Sequence, residues 1–456
     1  MNKKPITWFN LNKSSEKYSK YSEKKETTYV ITPDLFVIDT SDNFIIVFSP
    51  LLARVYYIPK KFITEINPLS FNKDNIDELI KANILLPKKI AASLAPTKPD
   101  CKTFNPNIRL LMTTSCNLNC VYCYADANKT TQLLDISKLE TLLNAVPEGT
   151  KSLNIEFHGG EPTIAFNKMK EAYSLIISKF PDSTFMIQTN GVFKANVMDW
   201  LIEHNITINF SIDGTEKTHN KQRPAINSQT NSFKILINNI KEAQANNTGK
   251  ACIVTITNYN LDMMHEIYLF LKDNGFKYIK FNPLLEEGRA KKYDNAETTP
   301  PNLQEFAKNM ASIMLEAFQN KIMIDSDLLP NIHVRQPSYS RCGAVCGQMT
   351  LCPNGDIIAC ADAYYLTEDK KDNPFFFAEV KDSISYNKEH LATLNKTTMD
   401  NYPVCNDCFL KWHCAGGCKI ENYLANKDIL KPDNNSCAAK KTLIKEYFKQ
   451  IGKEIL

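Results

Sequence analysis

Three cysteines fall within eight residues in Cys116-Asn117-Leu118-Asn119-Cys120-Val121-Tyr122-Cys123. At the spacing C-x3-C-x2-C, three thiolates can converge on one side of a short loop. They can hold a four-iron cubane and leave one iron without a protein ligand. That open position is where a substrate or cosubstrate would bind. A zinc ion completed by a distant residue is the competing reading. Three further motifs follow. His158-Gly159-Gly160-Glu161-Pro162 joins two glycines, which let backbone approach a ligand, to a carboxylate and carbonyls that can accept from an ammonium. Next come Gln188-Thr189-Asn190-Gly191 and Ser211-Ile212-Asp213-Gly214. Serine and aspartate at such positions suit a carboxylate and ribose hydroxyls. Each motif alone could be a turn; turn chemistry hardly explains four in succession.

The surrounding pattern says how they are positioned. Strand-like runs at Ile108–Thr113, Leu153–Phe157, Thr184–Gln188, Thr207–Ser211, Ala251–Thr257 and Tyr278–Asn282 alternate with helical patterns, the last at Leu303–Phe318. Six strand–helix units in order predict a parallel sheet with right-handed crossovers. Six units are fewer than a full eight-unit barrel, so the expectation is an α/β fold with a partial (β/α)6 TIM-like barrel. The four motifs fall just after strands, where such folds place their chemistry.

With Tyr122 before the last cysteine of C-x3-C-x2-C, Gly159-Gly160-Glu161-Pro162 and Ser211-Ile212-Asp213-Gly214, the chain resembles the radical S-adenosylmethionine enzymes over roughly residues 101–330. The resemblance implies a [4Fe–4S] cluster on Cys116, Cys120 and Cys123, with S-adenosylmethionine on the open iron. It implies that Gly159, Gly160, Glu161 and Pro162 hold the methionine ammonium. Asn190 belongs to the same cofactor-binding set, and Ser211 and Asp213 would hold the carboxylate or ribose, with Arg223 a further candidate. One-electron cleavage of the sulfonium would yield a 5′-deoxyadenosyl radical that abstracts a substrate hydrogen.

The C-terminal third is cysteine-rich. Cys405-x2-Cys408-x5-Cys414-x3-Cys418 is followed by Cys437, and upstream Cys342-x12-Gly355-x4-Cys360 brackets a hairpin-like Cys352-Pro353-Asn354-Gly355-Asp356. This closely resembles the SPASM extension of the same family. It implies two auxiliary [4Fe–4S] clusters, making three in all. Cys405, Cys408, Cys414 and Cys437 would hold one; Cys342, Cys360 and Cys418 the other, with Cys346 as fourth ligand. Cys352, or an iron left open to substrate, is the alternative. A pair of zinc ribbons is the competing reading. His158 and His413 read as packing residues. In the sulfatase-maturing branch an aspartate directly follows the cysteine corresponding to Cys360. Here that position is Ala361, and Asp362 comes one residue later. No catalytic acid or base is assigned.

The remaining sequence sets bounds. The chain's 456 residues predict two or three domains. A net charge of +4, from 54 basic and 50 acidic residues without a long basic block, gives no argument for nucleic acid. No apolar run at the N-terminus resembles a signal peptide, and Phe44–Ile58 is broken by Ser49, Pro50 and Arg54, so no membrane association and a cytoplasmic location are expected. In that compartment the 14 cysteines read as metal or redox groups rather than disulfides; Cys101 and Cys252, standing apart, read as small buried hydrophobes. Residues 1–27 read as a flexible arm. Residues 28–90, with strands at Tyr29–Ile38, Phe44–Phe48 and Arg54–Ile58 and helical patterns at Lys60–Ile66 and Asn75–Asn83, read as a small α+β module. Loosely, it resembles the winged-helix element that binds leader peptides in natural-product maturases. The expected division is then arm 1–27, leader-recognition or cap module 28–90, partial barrel 101–330 and C-terminal cysteine-rich iron–sulfur domain 331–456. The expected function is a maturase that modifies a ribosomally made peptide by a thioether or carbon–carbon crosslink or by epimerisation. Its partners would be a peptide or protein substrate carrying a leader, and a reductant such as flavodoxin or ferredoxin. Anaerobic sulfatase maturation and a non-catalytic iron–sulfur or zinc protein are the alternatives.

Overall fold

The computed structural model describes residues 8–10, 18–22, 25–40, 42–62, 65–66, 69–70, 76–94, 96–98, 104–291, 298–330, 337–344, 347–367 and 369–455. Cys101 and Cys346 lie outside them.

The N-terminal part builds small antiparallel sheets. Strand β1 (Trp8–Asn10) pairs with β4 (Phe36–Asp39), which continues through β5 (Phe44–Ser49) to β6 (Arg54–Pro59). Strand β2 (Tyr18–Ser22) pairs with β3 (Lys25–Ile31), and β3 with β9 (Leu85–Pro87). β7 (Glu65–Ile66) and β8 (Leu69–Ser70) form a short hairpin, followed by helices α1 (Ile76–Lys81) and α2 (Lys88–Ala91). Three sequence expectations are corrected here. The described parts of the arm are strands, because edge pairing uses main-chain groups and needs no hydrophobic periodicity. The run Tyr29–Ile38 is split by a turn in which Asp34 takes φ +54° after Pro33. Among the described residues of the expected helix at 60–66, Lys60–Phe62 form a 3-10 turn and Glu65–Ile66 a strand; a short run rich in β-branched types cannot nucleate a helix alone.

Every residue of β5 is buried. Its period-2 alternation sends Ile45 and Val47 into a small core with Leu35, Val37, Leu79 and Leu85, while Phe44, Ile46 and Phe48 join the main core of the molecule. Each large apolar side chain so buried stabilises the fold by about 1.5–3 kcal/mol.

The central sheet runs β16-β15-β14-β13-β12-β11-β10-β17-β18-β19-β20. Its strands are β10 (Asn107–Leu111), β11 (Asn154–His158), β12 (Thr184–Thr189), β13 (Thr207–Ser211), β14 (Ala251–Ile256), β15 (Tyr278–Pro283), β16 (Met323–Asp325), β17 (Met349–Leu351), β18 (Asp356–Ile358), β19 (Phe376–Val380) and β20 (Ile384–Tyr386). All pairings from β16 to β17 are parallel and those beyond are antiparallel. The partial barrel is therefore present. β16 extends it at one side, and at the other β17 pairs with β10, an addition the six-unit reading did not foresee. Connecting helices are α3 (Ile136–Asn144), α4 (Phe166–Lys179), α5 (Ala195–Glu203), α6 (Glu216–Gln222), α7 (Ser232–Ala245), α8 (Met264–Asp273) and α9 (Leu303–Gln319). Alternation within the strands sorts the side chains. Ile108, Leu110, Ile155, Phe157, Ile187, Ile208, Phe210, Cys252, Val254, Ile279 and Phe281 are fully buried in the core. Most of the intervening residues, including Arg109, Glu156, His158, Gln188, Ser211, Thr255, Lys280 and Asn282, are polar, and several line the barrel's cavity.

After β20 come α10 (Lys388–Asn395), α11 (Lys411–Cys414), α12 (Lys419–Asn426) and α13 (Asn434–Ile455). Helix α13 packs along α9 and reaches β5, where Gly452 lies so close to Phe44 and Tyr57 that a Cβ would approach both rings to 2.7 Å. Among the described residues, no helix is long and apolar enough to cross a membrane.

Candidate active site

The C-terminal ends of the barrel strands enclose a cavity of about 260 Å³. Cys116, Cys120 and Cys123 line it together with His158, Gly159, Gly160, Asn190, Ser211 and Arg223. The cysteine loop is held by its neighbours: Asn128 accepts from the Cys116 N–H (2.8 Å), and Asn119 and Val121 N–H groups donate to the carbonyls of Pro224 and Gln222. Arg289 ties the loop from the far side, donating to the carbonyl oxygens of Cys120 (2.7 Å) and Ala127 (2.9 Å). Burial pushes the Cys116 thiol up and the Cys120 thiol up to about 12. A metal centre must therefore displace their protons to bind. Among the described residues, no three His, Cys, Asp or Glu side chains are grouped around a point as for a single ion; the three thiols stand around a shared space.

The two glycines press against that loop. A Cβ on Gly159 would sit 2.4 Å from the Thr113 carbonyl oxygen, and one on Gly160 would sit 2.2 Å from that of Ser115. Only glycine fits this contact, which brings bare backbone to the cavity wall. Asn190 donates to Asn117 Oδ1 (2.8 Å) and reaches Cys116 Sγ (3.7 Å). Ser211 Oγ accepts from Gln188 (2.8 Å).

Three expected cofactor contacts stand behind the wall instead. Glu161 is 1 % exposed. One carboxylate oxygen accepts from the Thr163 N–H, Thr163 Oγ1 and Thr189 Oγ1, and the other from the Asn190 N–H. Its carboxylate is spent on pinning the ends of β11 and β12, so an ammonium would meet glycine backbone. Pro162 opens the 3-10 turn after Glu161 and is likewise buried. Asp213 is wholly buried, paired to Arg223 through Nε–Oδ2 (2.9 Å) and Nη2–Oδ1 (3.2 Å). It also accepts from the Tyr122 hydroxyl, Gln222 Nε2 and the Thr255 N–H. It aims Arg223 and Tyr122 rather than offering a free oxygen to a ribose.

Of the rest of the wall, the sequence singles out Asp362 alone. Leu284 and Leu285 line it, as do Glu287, Asp327 and Asp362. Glu287 is 5 % exposed, and its Oε1 has no hydrogen-bond partner among the described residues. Burial, then the nearby Asp362, push its carboxyl up to about 8. His158 Nδ1 accepts from the Gly159 N–H (2.8 Å), while burial and Arg109 depress its pKa to about 4, keeping it neutral. The missed signal is Glu287-Gly288-Arg289, which follows the sixth strand as the other motifs follow theirs.

The C-terminal cysteines fall into two neighbourhoods. Cys405, Cys408, Cys414 and Cys437 lie within electrostatic reach of one another, as do Cys342, Cys360 and Cys418. Cys352 is separate: it is packed with Leu111, Ile358, Ala361 and Phe376. His413 Nε2 lies 2.9 Å from the Pro50 carbonyl oxygen, on the N-terminal side.

Residues 110–271 match the family model of the radical SAM superfamily. The chain carries a radical SAM domain. A domain of that superfamily makes the chain an enzyme, and the cofactors of such a domain are a [4Fe–4S] cluster and S-adenosylmethionine. Three thiols on one cavity, beside bared glycine backbone, fit that pair. The chain is 24 % identical over 358 residues to the cysteine-type anaerobic sulfatase-maturating enzyme of Clostridium novyi (strain NT), covering 74 % of this chain and 93 % of that one. Its fold resembles anSMEcpe with bound AdoMet (TM-score 0.62, 19 % identity, 77 % of this chain and 100 % of that chain). It also resembles SuiB of Streptococcus suis bound to S-adenosylmethionine (TM-score 0.53, 16 % identity, 90 % and 99 %).

Proposed function

We propose that this radical SAM enzyme, of the SPASM-type maturase branch, modifies a ribosomally made peptide. The observation that carries this reading is the N-terminal module. It presents small antiparallel sheets with the edge strands that main-chain recognition of an extended peptide uses, and the SuiB likeness extends over 90 % of the chain. SuiB of Streptococcus suis also has a structure bound to its precursor peptide SuiA.

In this reading Cys116, Cys120 and Cys123 hold the catalytic cluster, and Gly159, Gly160, Asn190, Ser211 and Arg223 face S-adenosylmethionine. Cys405, Cys408, Cys414 and Cys437 hold one auxiliary cluster. Cys342, Cys360 and Cys418 hold the other, with Cys346 or the substrate completing it. Once bound, the cluster and S-adenosylmethionine would supply radical chemistry that removes a hydrogen atom from the substrate. The chain orients and seals. Glycine backbone accepts from the methionine ammonium. Arg223, held by Asp213, offers its remaining N–H groups to an anionic end. Leu284 and Leu285 exclude water. Glu287, which keeps its proton below about 8, and Asp362 stand on the same cavity as carboxyls able to exchange a proton with a substrate.

Sulfatase maturation is the second reading, and Asp362 favours it. Although one residue later than the aspartate of that branch, its side chain lines the same cavity as the three thiols. Anaerobic co-production with a candidate small peptide separates the two. Loss of two hydrogen atoms from the peptide, abolished by Cys116→Ala, Cys120→Ala and Cys123→Ala together, supports crosslinking; deuterium uptake from solvent without mass loss supports epimerisation. Neither change, together with formylglycine formation on a sulfatase peptide, overturns the proposal in favour of the second reading.

A further inference from the structure

Between the two C-terminal cysteine neighbourhoods runs a buried seam of cations. Arg341 lies within electrostatic reach of Cys414 and Cys418, and Lys419 of Cys342, Cys414 and Cys418. Both therefore face members of each set. Two other lysines nearby are neutralised: Lys440 pairs with Glu421 and Lys280 with Asp327, each at 2.7 Å. Arg341 and Lys419 form no direct ion pair with a carboxylate among the described residues; Asp327 and Glu421 lie within electrostatic reach of Arg341 but are already bound to Lys280 and Lys440. Arg341 Nη2 donates to the carbonyl oxygens of Ser326 (3.1 Å) and Leu329 (2.7 Å), and its buried Nη1 has no hydrogen-bond partner there. Lys419 is 1 % exposed; its Nζ donates to the Ala415 carbonyl oxygen (3.1 Å) and lies 4.5 Å from the centroid of the Tyr402 ring.

Burying a cation without a counter-charge is strongly unfavourable. Carbonyl oxygens and a ring face supply only partial negative charge. Something anionic must complete this seam, and the seven cysteines around it name the chemistry: thiolate-bound clusters with net negative charge.

We propose that Arg341 and Lys419 are the shared counter-charges of the two auxiliary clusters and raise their reduction potentials. The inference rests on the auxiliary-cluster reading above. Reduction adds one electron to a cluster and no proton, making it one unit more negative, so a fixed buried cation favours the reduced form. In the reaction that electron comes from the substrate radical left by hydrogen abstraction, which loses a proton to solvent as it is oxidised. Placed between the two sites, the cations act on both: each cluster feels the same fixed positive charge.

The test is a mediated dithionite titration followed by electron paramagnetic resonance. It is done on the full-length protein carrying Cys116→Ala, Cys120→Ala and Cys123→Ala, so that only auxiliary clusters report. At the potential where this protein is half reduced, Arg341→Gln is expected to lower the reduced-to-oxidised ratio tenfold or more, which is 59 mV for one electron. Arg341→Lys should restore most of it, and Lys419→Met should shift it in the same direction as Arg341→Gln, with iron content unchanged. Unchanged ratios in Arg341→Gln and Lys419→Met at full iron content overturn the inference. Loss of iron from Arg341→Gln leaves Lys419→Met to decide by the same ratio; loss from all three variants overturns it in favour of a packing role. If the starting protein itself holds no auxiliary iron, the auxiliary-cluster reading has failed, and this inference fails with it.

Discussion

Gly160 shows how little tolerance the site has at single positions. Its α-carbon faces the Ser115 carbonyl with no room for a methyl group, so Gly160→Ala must push the cysteine loop away. Overpacking of this kind costs about 1–3 kcal/mol. We expect S-adenosylmethionine affinity to fall roughly tenfold, measured by equilibrium binding to the reconstituted protein. Arg289 acts on the same loop from outside the cavity. Arg289→Met leaves the buried Ala127 carbonyl without its donor, at about 1–3 kcal/mol, and the Cys120 carbonyl with only the Cys123 N–H; it should lower the iron retained by the catalytic site while leaving the auxiliary iron in place. Glu287 gives a pH signature. Its carboxyl is raised to about 8 by burial first and Asp362 second. The folded chain thus binds this proton more tightly than the unfolded one. The group's contribution is complete below the ordinary carboxylate pKa and is lost as pH climbs through about 8. Glu287→Gln removes that dependence, so its stability relative to the unsubstituted protein should rise between pH 6 and pH 9 by on the order of 2 kcal/mol, seen in anaerobic thermal melts. At this scale the sequence was legible where residue type alone decides: cysteines at fixed spacing, and glycines where nothing else fits. It misled where a carboxylate beside a motif could point either way. Glu161 and Asp213 bind backbone and arginine instead of cofactor, and no spacing rule reveals that.

At the scale of elements, β5 and the segment between Cys408 and Cys414 depend on each other. Phe48 packs on Phe409 (6.5 Å between centroids) and Phe448 (5.3 Å). Asp34 accepts from Trp412 Nε1 (2.6 Å) and pairs with Lys411 (2.7 Å). The module therefore braces a loop whose ends are two cysteines of one neighbourhood. Removing residues 1–90 would strip that brace and bare the aromatic face. We expect the truncated protein to lose iron as well as peptide binding, so truncation cannot isolate leader recognition. Phe48→Ala should destabilise the protein by about 3–5 kcal/mol and lower iron content with the N-terminal strands still present; iron analysis with a denaturant series checks both. The barrel strands and helices were legible because their apolar periodicity is long and regular. Strands β1 and β2 were not, since edge pairing leaves no such pattern. The polar interior of the barrel was written in the alternate residues of its strands, such as Arg109, Glu156 and Lys280, but reading them required knowing which face looks inward.

For the whole molecule, the feature that binds these parts is the unbroken sheet. Strand β10, which delivers Cys116, is hydrogen-bonded to β17, and the hairpin β17–β18 leads straight to Cys360 and Asp362. Pairing Arg109 with Thr350 fixes that relation residue by residue. A slip of two residues along β17 would shift everything beyond it by about 6.6 Å. The catalytic thiols and the first cysteines of the C-terminal region are thus mounted on one rigid plate. Such a plate has no jaw: it cannot gape between barrel and tail to admit a bulky chain. A guest must thread in through the loops above it, end first or as a slack bight. In the peptide-modifying reading, what this enzyme accepts is then set by how the peptide bends.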